Sequence, residues 1–350
     1  IAELNSATWD MTYRVKHNGG GFTWFVNAFD ISLSTTNSWQ NIDLSLYVPD
    51  DATGAIVEVV NTRSSSSYSA VLRGTEDTRD YMSNASYEEI EAETHRWQIV
   101  KIDSNNSIQG YIEHTRLDFK LLGYTTGSDP LYFDTPPDVT PGPTGTWTTV
   151  DVSSYVDDDA DGVILFIDSI SCCDRDYGIR EVGSSFNVTN RELEEFGNTM
   201  YLVGIDGNNE FDAYRENTFV NIYLVAQTKG SVVYYVDDIS VPDPPVGSWQ
   251  EIDADDFGVP AEASGLVFRV YDNGSSDRRI GLTHGDSTDN WNNDIGNQNH
   301  LQAAVGINDD NIWDQYMEST DGGVQIAAYT VGGSITVHAD VDILIRRANG

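Results

Sequence analysis

The residues of this chain whose types and spacing could do chemistry are mostly carboxylates. Asp157-x-Asp159-x-Asp161-Gly162 matches the first half of a calcium loop, in which alternate carboxylates and a turn-forming glycine wrap a hard cation. The corresponding turns elsewhere, Pro49-Asp-Asp-Ala-Thr-Gly54 and Pro260-Ala-Glu-Ala-Ser-Gly265, lack that alternation. Val163-Ile-Leu-Phe-Ile167 also reads as strand where further loop ligands belong. A plain turn is therefore the expectation, with calcium on Asp157, Asp159 and Asp161 as the alternative and no other cofactor. A second pattern, Tyr-x-Glu, recurs as Tyr111 and Glu113, Tyr214 and Glu216, and Tyr316 and Glu318. In a strand this spacing puts ring and carboxylate on one face. That face could serve as a sugar platform or an intermodule contact, or hold each unit together.

Catalytic chemistry finds no anchor. A glycosidase needs two carboxylates at controlled separation with one pKa raised, and no second acid keeps register with all three glutamates. The histidines, His17, His95, His114, His284, His300 and His338, show no paired spacing and no shared register. Neither a Gly-x-Ser-x-Gly elbow nor a phosphate-binding glycine loop occurs, so the expectation is a protein that is not an enzyme. Asn-x-Ser/Thr sequons stand at Asn84, Asn105, Asn187 and Asn273. They matter only if the chain crosses a glycosylating pathway.

Composition narrows the class. The chain carries 56 acidic and 19 basic residues, a net charge of −37, with Lys16, Lys101, Lys120 and Lys229 as its lysines. Such a polyanion repels nucleic acid and anionic membrane, and its carboxylates suit a salty, exposed medium in which counterions screen them. No apolar run reaches the 18 residues a membrane-spanning helix needs. The cysteines, Cys172 and Cys173, are adjacent and form no disulfide framework, and two thiols are expected.

The elements that position these residues come in triplicate. Trp39-x-x-Ile42-Asp43, Trp147-x-x-Val150-Asp151 and Trp249-x-x-Ile252-Asp253 open three segments, each followed by a turn ending at Gly54, Gly162 or Gly265. Val100-Lys-Ile102-Asp103, Val203-Gly-Ile205-Asp206 and Val305-Gly-Ile307-Asn308 each precede the Tyr-x-Glu by eight residues, with a period of 103 and then 102. Two landmarks kept in step three times mark a tandem repeat. The runs Gly54-Ala-Ile-Val-Glu-Val-Val, Gly162-Val-Ile-Leu-Phe-Ile and Gly265-Leu-Val-Phe-Arg-Val read as central core strands, and Gly, Ser, Asn and Asp between short apolar runs read as turns.

The expected fold is all-β: three tandem β-sandwich, jelly-roll-like units joined by Pro-rich linkers. The divisions are an N-terminal strand segment 1–36, unit one 37–134, a linker 135–145, unit two 146–240, a linker 241–247 and unit three 248–350. Thr135-Pro-Pro-Asp-Val-Thr-Pro-Gly-Pro143 and Val241-Pro-Asp-Pro-Pro245 cannot enter a sheet interior and are expected to act as stiff spacers between three beads.

The repeated opening with its later Val-Gly-Ile-Asp and Tyr-x-Glu resembles tandem repeats of about 100 residues in virion and extracellular surface proteins of phages, archaeal viruses and environmental microbes. The resemblance implies an extracellular, virion-surface or cell-surface location and a structural or adhesive duty, and it transfers no catalytic residue. The expected partners are copies of the chain and other assembly proteins, in a virion or filament. The terminal strands Phe22 to Phe29 and Ser334 to Ile345 would add to a neighbour's open sheet edge. A glycan-binding adhesin, stacking sugars on Tyr111, Tyr214 and Tyr316, and a cation-stapled surface-layer protein are the alternatives.

Overall fold

The computed structural model describes residues 21–79, 89–90, 94–171, 173–187, 189, 191–193, 197–272, 279–289, 300–319 and 322–332. Unit one contains β1 (Gly21–Asp30), β2 (Gln40–Asp43), β3 (Ala52–Asn61), β4 (Tyr68–Gly74), β5 (Glu89–Ile90), β6 (His95–Lys101), β7 (Ser107–Ile112) and β8 (Leu117–Thr126). These form two antiparallel sheets, ordered β1-β8-β3-β6 and β2-β7-β4-β5. That order is the double Greek key of a jelly roll.

Unit two repeats it with β9 (Leu131–Tyr132), β10 (Thr148–Asp151), β11 (Gly162–Ser169), β12 (Arg175–Glu181), β13 (Arg191–Leu193), β14 (Asn198–Gly204), β15 (Glu210–Arg215) and β16 (Val220–Thr228). Its sheets are β14-β11-β16-β9 and β10-β15-β12-β13. Unit three has β17 (Val232–Ser240), β18 (Trp249–Asp253), β19 (Ala263–Asp272), β20 (Ile280–His284), β21 (His300–Gly306), β22 (Ile312–Met317) and β23 (Gly322–Val331), in sheets β17-β23-β19-β21 and β18-β22-β20. The fold is three β-sandwich units, as the repeat implies.

The Pro-rich stretches lie inside units and do not link them. β9 precedes the first one and pairs with β16, and β17 precedes the second and pairs with β23. β1 likewise pairs with β8, so the segment 1–36 contributes the first strand of unit one. The units are therefore joined by the short connections 127–130 and 229–231. The prolines follow each first strand because proline removes a ladder donor, which suits a bulged sheet edge. Around them the backbone still bonds to the sheet where N–H groups remain, from Leu224 N to the Pro137 carbonyl (2.9 Å), from Val139 N to Ile222 O (2.9 Å) and from Val241 N to Val324 O (3.1 Å). Of the terminal strands, β1 is thus paired within the chain, and Ser334–Ile345 lies outside the described residues.

Nor are the units separate beads. The central strands β3, β11 and β19 are buried on both faces, which explains why they read as unbroken apolar runs rather than alternating ones. One face packs inside its own sandwich, through Ala55, Val57 and Val59, Val163, Leu165 and Ile167, or Leu266, Phe268 and Val270. The other face meets the other two units in a shared cluster. There Ile56, Ile164 and Val267 occupy equivalent positions two residues past the repeated glycine. They pair with Ile99, Leu202 and Ala304 on one side, and with the small residues Gly123, Ala226 and Ala328 on the other.

The seams repeat too. Tyr132 on β9 lies over Gly54 of unit one, Tyr234 on β17 over Gly162 of unit two, and Trp24 on β1 over Gly265 of unit three. A Cβ at any of these glycines would overlap the ring above it. Each ring bonds to the threonine that pairs with its glycine. Tyr132 Oη is 3.1 Å from Thr125 Oγ1, Tyr234 Oη 3.0 Å from Thr228 Oγ1, and Trp24 Nε1 donates to Thr330 Oγ1 at 3.1 Å. Since unit one's own first strand covers unit three, the three contacts close a ring. Gly162→Ala should cost about 1–3 kcal/mol in chemical denaturation through overpacking. Combined with Tyr234→Ala it should cost less than the sum of the two changes, since their shared contact is the source of the strain.

Candidate functional site

The triplicated Tyr-x-Glu lies on β7, β15 and β22, interior strands of the outer sheets. Along each, burial alternates, so that Ile112, Arg215 and Met317 point inward while Tyr111, Tyr214 and Tyr316 point outward. Each tyrosine meets the opening tryptophan of its own unit: Trp39 and Tyr111 at 5.9 Å between ring centroids, Trp147 and Tyr214 at 6.0 Å, Trp249 and Tyr316 at 5.7 Å. Aromatic cross-strand pairs of this kind hold register.

The glutamates act on the backbone. Glu113 Oε2 accepts from Ser69 N at 3.0 Å, Glu216 Oε2 from Asp176 N at 3.3 Å, and Glu318 Oε2 from Arg279 N at 3.1 Å. The same residue pairs are bonded again from the glutamate N–H to the neighbour's carbonyl. Each glutamate therefore staples the end of its strand to the next.

On two of the three outer faces an arginine lies over the opening tryptophan. On β4, the Arg73 guanidinium lies 3.8 Å from the Trp39 ring centroid, and Nε donates to Gln109 Oε1 at 3.0 Å. On β12, Arg180 lies 4.1 Å from the Trp147 ring centroid and donates to Asp212 Oδ2 at 3.1 and 3.2 Å. The register puts Thr283 at this place in unit three, opposite Asp314. Burial, with the charges of Glu251 and Asp286, raises Asp314 to about 6.

The second landmark is a turn device. Asp103 Oδ1 accepts from Asn105 N and Ser107 N, Asp206 Oδ1 from Asn208 N and Glu210 N, and Asn308 Oδ1 from Asp310 N and Ile312 N, all at 2.8 to 3.1 Å. The two backbone bonds of each turn use one side-chain oxygen, Oδ1, which is why asparagine replaces aspartate at 308 without loss of the turn. Each turn ends on a residue the sequence reading overlooked: Asn106, Asn209 and Asn311, at φ of 55°, 60° and 61°. Their carbonyls accept from Leu44 N, Val152 N and Ala254 N and fasten the opening strand to the turn. Their common spacing, three residues past Asp103, Asp206 and Asn308, was the available signal, since asparagine tolerates the left-handed region.

Asp157, Asp159 and Asp161 do not converge on one point. Asp157 Oδ2 accepts from Gln227 Nε2 at 2.7 Å, and Lys229 Nζ sits 2.5 Å from Asp159 Oδ1 and 3.4 Å from Asp157 Oδ2. Asp161 accepts from Thr228 Oγ1 at 2.7 Å and Gly230 N at 2.5 Å. The three acids hold down the connection between units two and three. Asp129 on the other connection joins them, accepting from Lys229 N at 2.8 Å and Ser231 N at 2.7 Å. Among the described residues no group of three or more histidine, cysteine, aspartate or glutamate side chains could hold a metal ion. Cys172 lies outside the described residues.

No family model matches the chain, and no curated protein matches it. Among solved structures, one from Sulfolobus Turreted Icosahedral Virus is 10% identical and covers 90% of this chain and 91% of its own, with a TM-score of 0.22. An archaeal-virus structure described by a triple jelly roll fold and turret assembly is 11% identical, with 90% of each chain covered and the same TM-score, 0.22. One from Broad Bean Stain Virus is 9% identical over 65% of this chain and 95% of that one, at a TM-score of 0.23. Scores this low carry no argument about what the chain does. No helix among the described residues is long and apolar enough to cross a membrane.

The raised carboxyl of Asp314 has a stability consequence. The folded chain keeps that proton between the ordinary carboxylate range, about pH 4, and about 6. The contribution therefore favours folding at low pH and is lost as pH rises through that window. Asp314→Asn should raise the thermal midpoint above about pH 7 and change it less below about pH 4. Independently, Asn209→Val should cost about 1–2 kcal/mol in denaturant melts because a branched residue resists positive φ, whereas Asn209→Gly should be nearly neutral.

Proposed function

We propose that the chain is a non-enzymatic structural subunit of an extracellular assembly, such as a virion surface or a filament. The observation that carries this reading is the closed ring of three jelly rolls, built so that one chain presents a preassembled, pseudo-threefold block. Its repeated side chains serve architecture: glutamates staple strands, Asx residues close turns, and aromatic rings lock the seams.

The surface agrees with an assembly role. The first strands run along one edge of each inner sheet and expose Val26 and Phe29 on β1, Leu131 on β9, and Val233 and Val236 on β17. Exposed apolar residues repeated on sheet edges invite packing against further subunits. The net charge of −37 keeps such a block soluble and sets a requirement for salt when copies approach one another.

The native particle imaged by electron microscopy should show regularly spaced copies, with the three lobes of each copy in contact with neighbours. Light scattering on the purified chain should show association that strengthens as salt screens the carboxylates. A monodisperse, isolated three-lobed molecule at high concentration in native salt would overturn the reading and move attention to glycan binding.

A further inference from the structure

The three outer faces, superposed by their register, differ in one systematic way. In unit one the facing triplet across β2, β7 and β4 is Asn41, Gln109 and Arg73; in unit two, across β10, β15 and β12, it is Thr149, Asp212 and Arg180; in unit three, across β18, β22 and β20, it is Glu251, Asp314 and Thr283. The formal charge of these triplets runs from +1 to 0 to −2. The tryptophan and tyrosine beside each triplet are unchanged.

The first two units display what this face takes. Both guanidinium groups stack on the indole, at 3.8 and 4.1 Å from its centroid, and both reach the side chain on the middle strand. Both also donate to a main-chain carbonyl six residues further along the chain, Arg73 to Arg79 O and Arg180 to Phe186 O, the latter at 2.8 Å. In unit three the same six-residue step from Thr283 leads to Asp289, whose carboxylate anchors the loop by accepting from Ala28 N at 2.8 Å. Thr283 lines a cleft with Trp24, Leu122, His284 and Asp289. Arg73 and Arg180 line the corresponding clefts at the other two seams.

We propose that this face of unit three is a receptor for an arginine side chain presented by another protein, its guanidinium stacked on Trp249 and held by Asp314 and Glu251. The charge pattern favours this occupant. A guanidinium is planar, always charged and weakly hydrated, and it both stacks on indole and pairs with carboxylates. Strands β18, β20 and β22 contain neither lysine nor arginine; Arg279, just before β20, stands opposite Glu318, four residues from Thr283, and Arg269, the arginine of β19, is committed to Asp238 and to Tyr201 Oη at 2.7 Å. Among the described residues, the groups facing Asp314 are Glu251 on β18, Thr283 on β20 and Asp286 beyond it, and none of these three supplies positive charge.

The test follows the Trp249 indole N–H in a nitrogen-resolved NMR spectrum of the whole chain, its signal identified by Trp249→Phe. N-acetyl-arginine amide is the probe, and N-acetyl-citrulline amide is its neutral isostere. The arginine probe should shift the Trp249 signal saturably and citrulline should not. Asp314→Asn should weaken the response at least about tenfold, the scale of one charge-assisted contact. Thr283→Arg should abolish the response by filling the site from within, as Arg73 and Arg180 do, and should leave the remaining indole signals in place. The inference is overturned if the wild-type signal does not move, if citrulline moves it equally, or if the Thr283→Arg chain responds like wild type.

Discussion

The architecture depends on an aromatic ring seated over a glycine. At each seam an aromatic side chain from one unit's first strand rests on the backbone of the neighbouring unit's central strand, and a threonine opposite that glycine holds the ring by its polar end. The contact works only while the glycine lacks a Cβ, which would overlap the ring, so the glycine sets how closely the first strand of one unit approaches the central strand of the next. With that spacing fixed, Ile56, Ile164 and Val267 can converge with Ile99, Leu202 and Ala304, and the small partners Gly123, Ala226 and Ala328 leave room for them. Burial of each such aliphatic side chain stabilises by about 1.5–3 kcal/mol, against about 0–1 for an exposed ion pair. The shared core therefore outweighs the polar contacts along its rim.

Those polar contacts differ from seam to seam, and they give the pseudo-symmetric ring its register. Between units one and two, Lys101 pairs with Glu76 and Asp134, and Arg79 lies over the Tyr223 ring at 4.6 Å. Between units two and three, Asp237 accepts from Ser184 Oγ and Ser185 N at 2.8 and 2.9 Å, and the buried Arg269 pairs with Asp238 while lying 3.7 Å from the Phe186 ring centroid. Between units three and one, Asn27 Oδ1 accepts from Thr288 N at 2.8 Å and Asp289 from Ala28 N. Three distinct polar codes on one apolar plan prevent a unit from docking in another's place. At two of the three seams they draw on the few cations of a very acidic chain, Lys101 and Arg79 at one and Arg269 at the other.

The outer faces show the opposite economy, one plan with graded chemistry. Tryptophan, tyrosine and the stapling glutamate persist in all three, because they hold register within each sandwich. The residues between them drift from cationic to anionic, since the sheet tolerates either sign where water reaches it. Such drift is how a repeated scaffold acquires one face that differs in what it can bind.

The sequence by itself determined the local devices. The period, the tryptophan openings, the turn before each central strand and the strand-faced Tyr-x-Glu are short-range patterns, and each corresponds to an element whose cause is local. Asp103, Asp206 and Asn308 close turns with bonds that span four residues or fewer, so their spacing was enough to expose them. Only the tertiary structure decided where units begin and how they meet. A proline-rich stretch looks alike between domains and along a bulged sheet edge, and a run buried on two faces looks like any core strand. The ring-on-glycine contacts join residues more than 60 positions apart and, at the closing seam, β1 to unit three. Glycine and aromatic carry no mark of their partner until the sheets are stacked, because packing specificity lies in shape across the interface rather than in spacing along the chain.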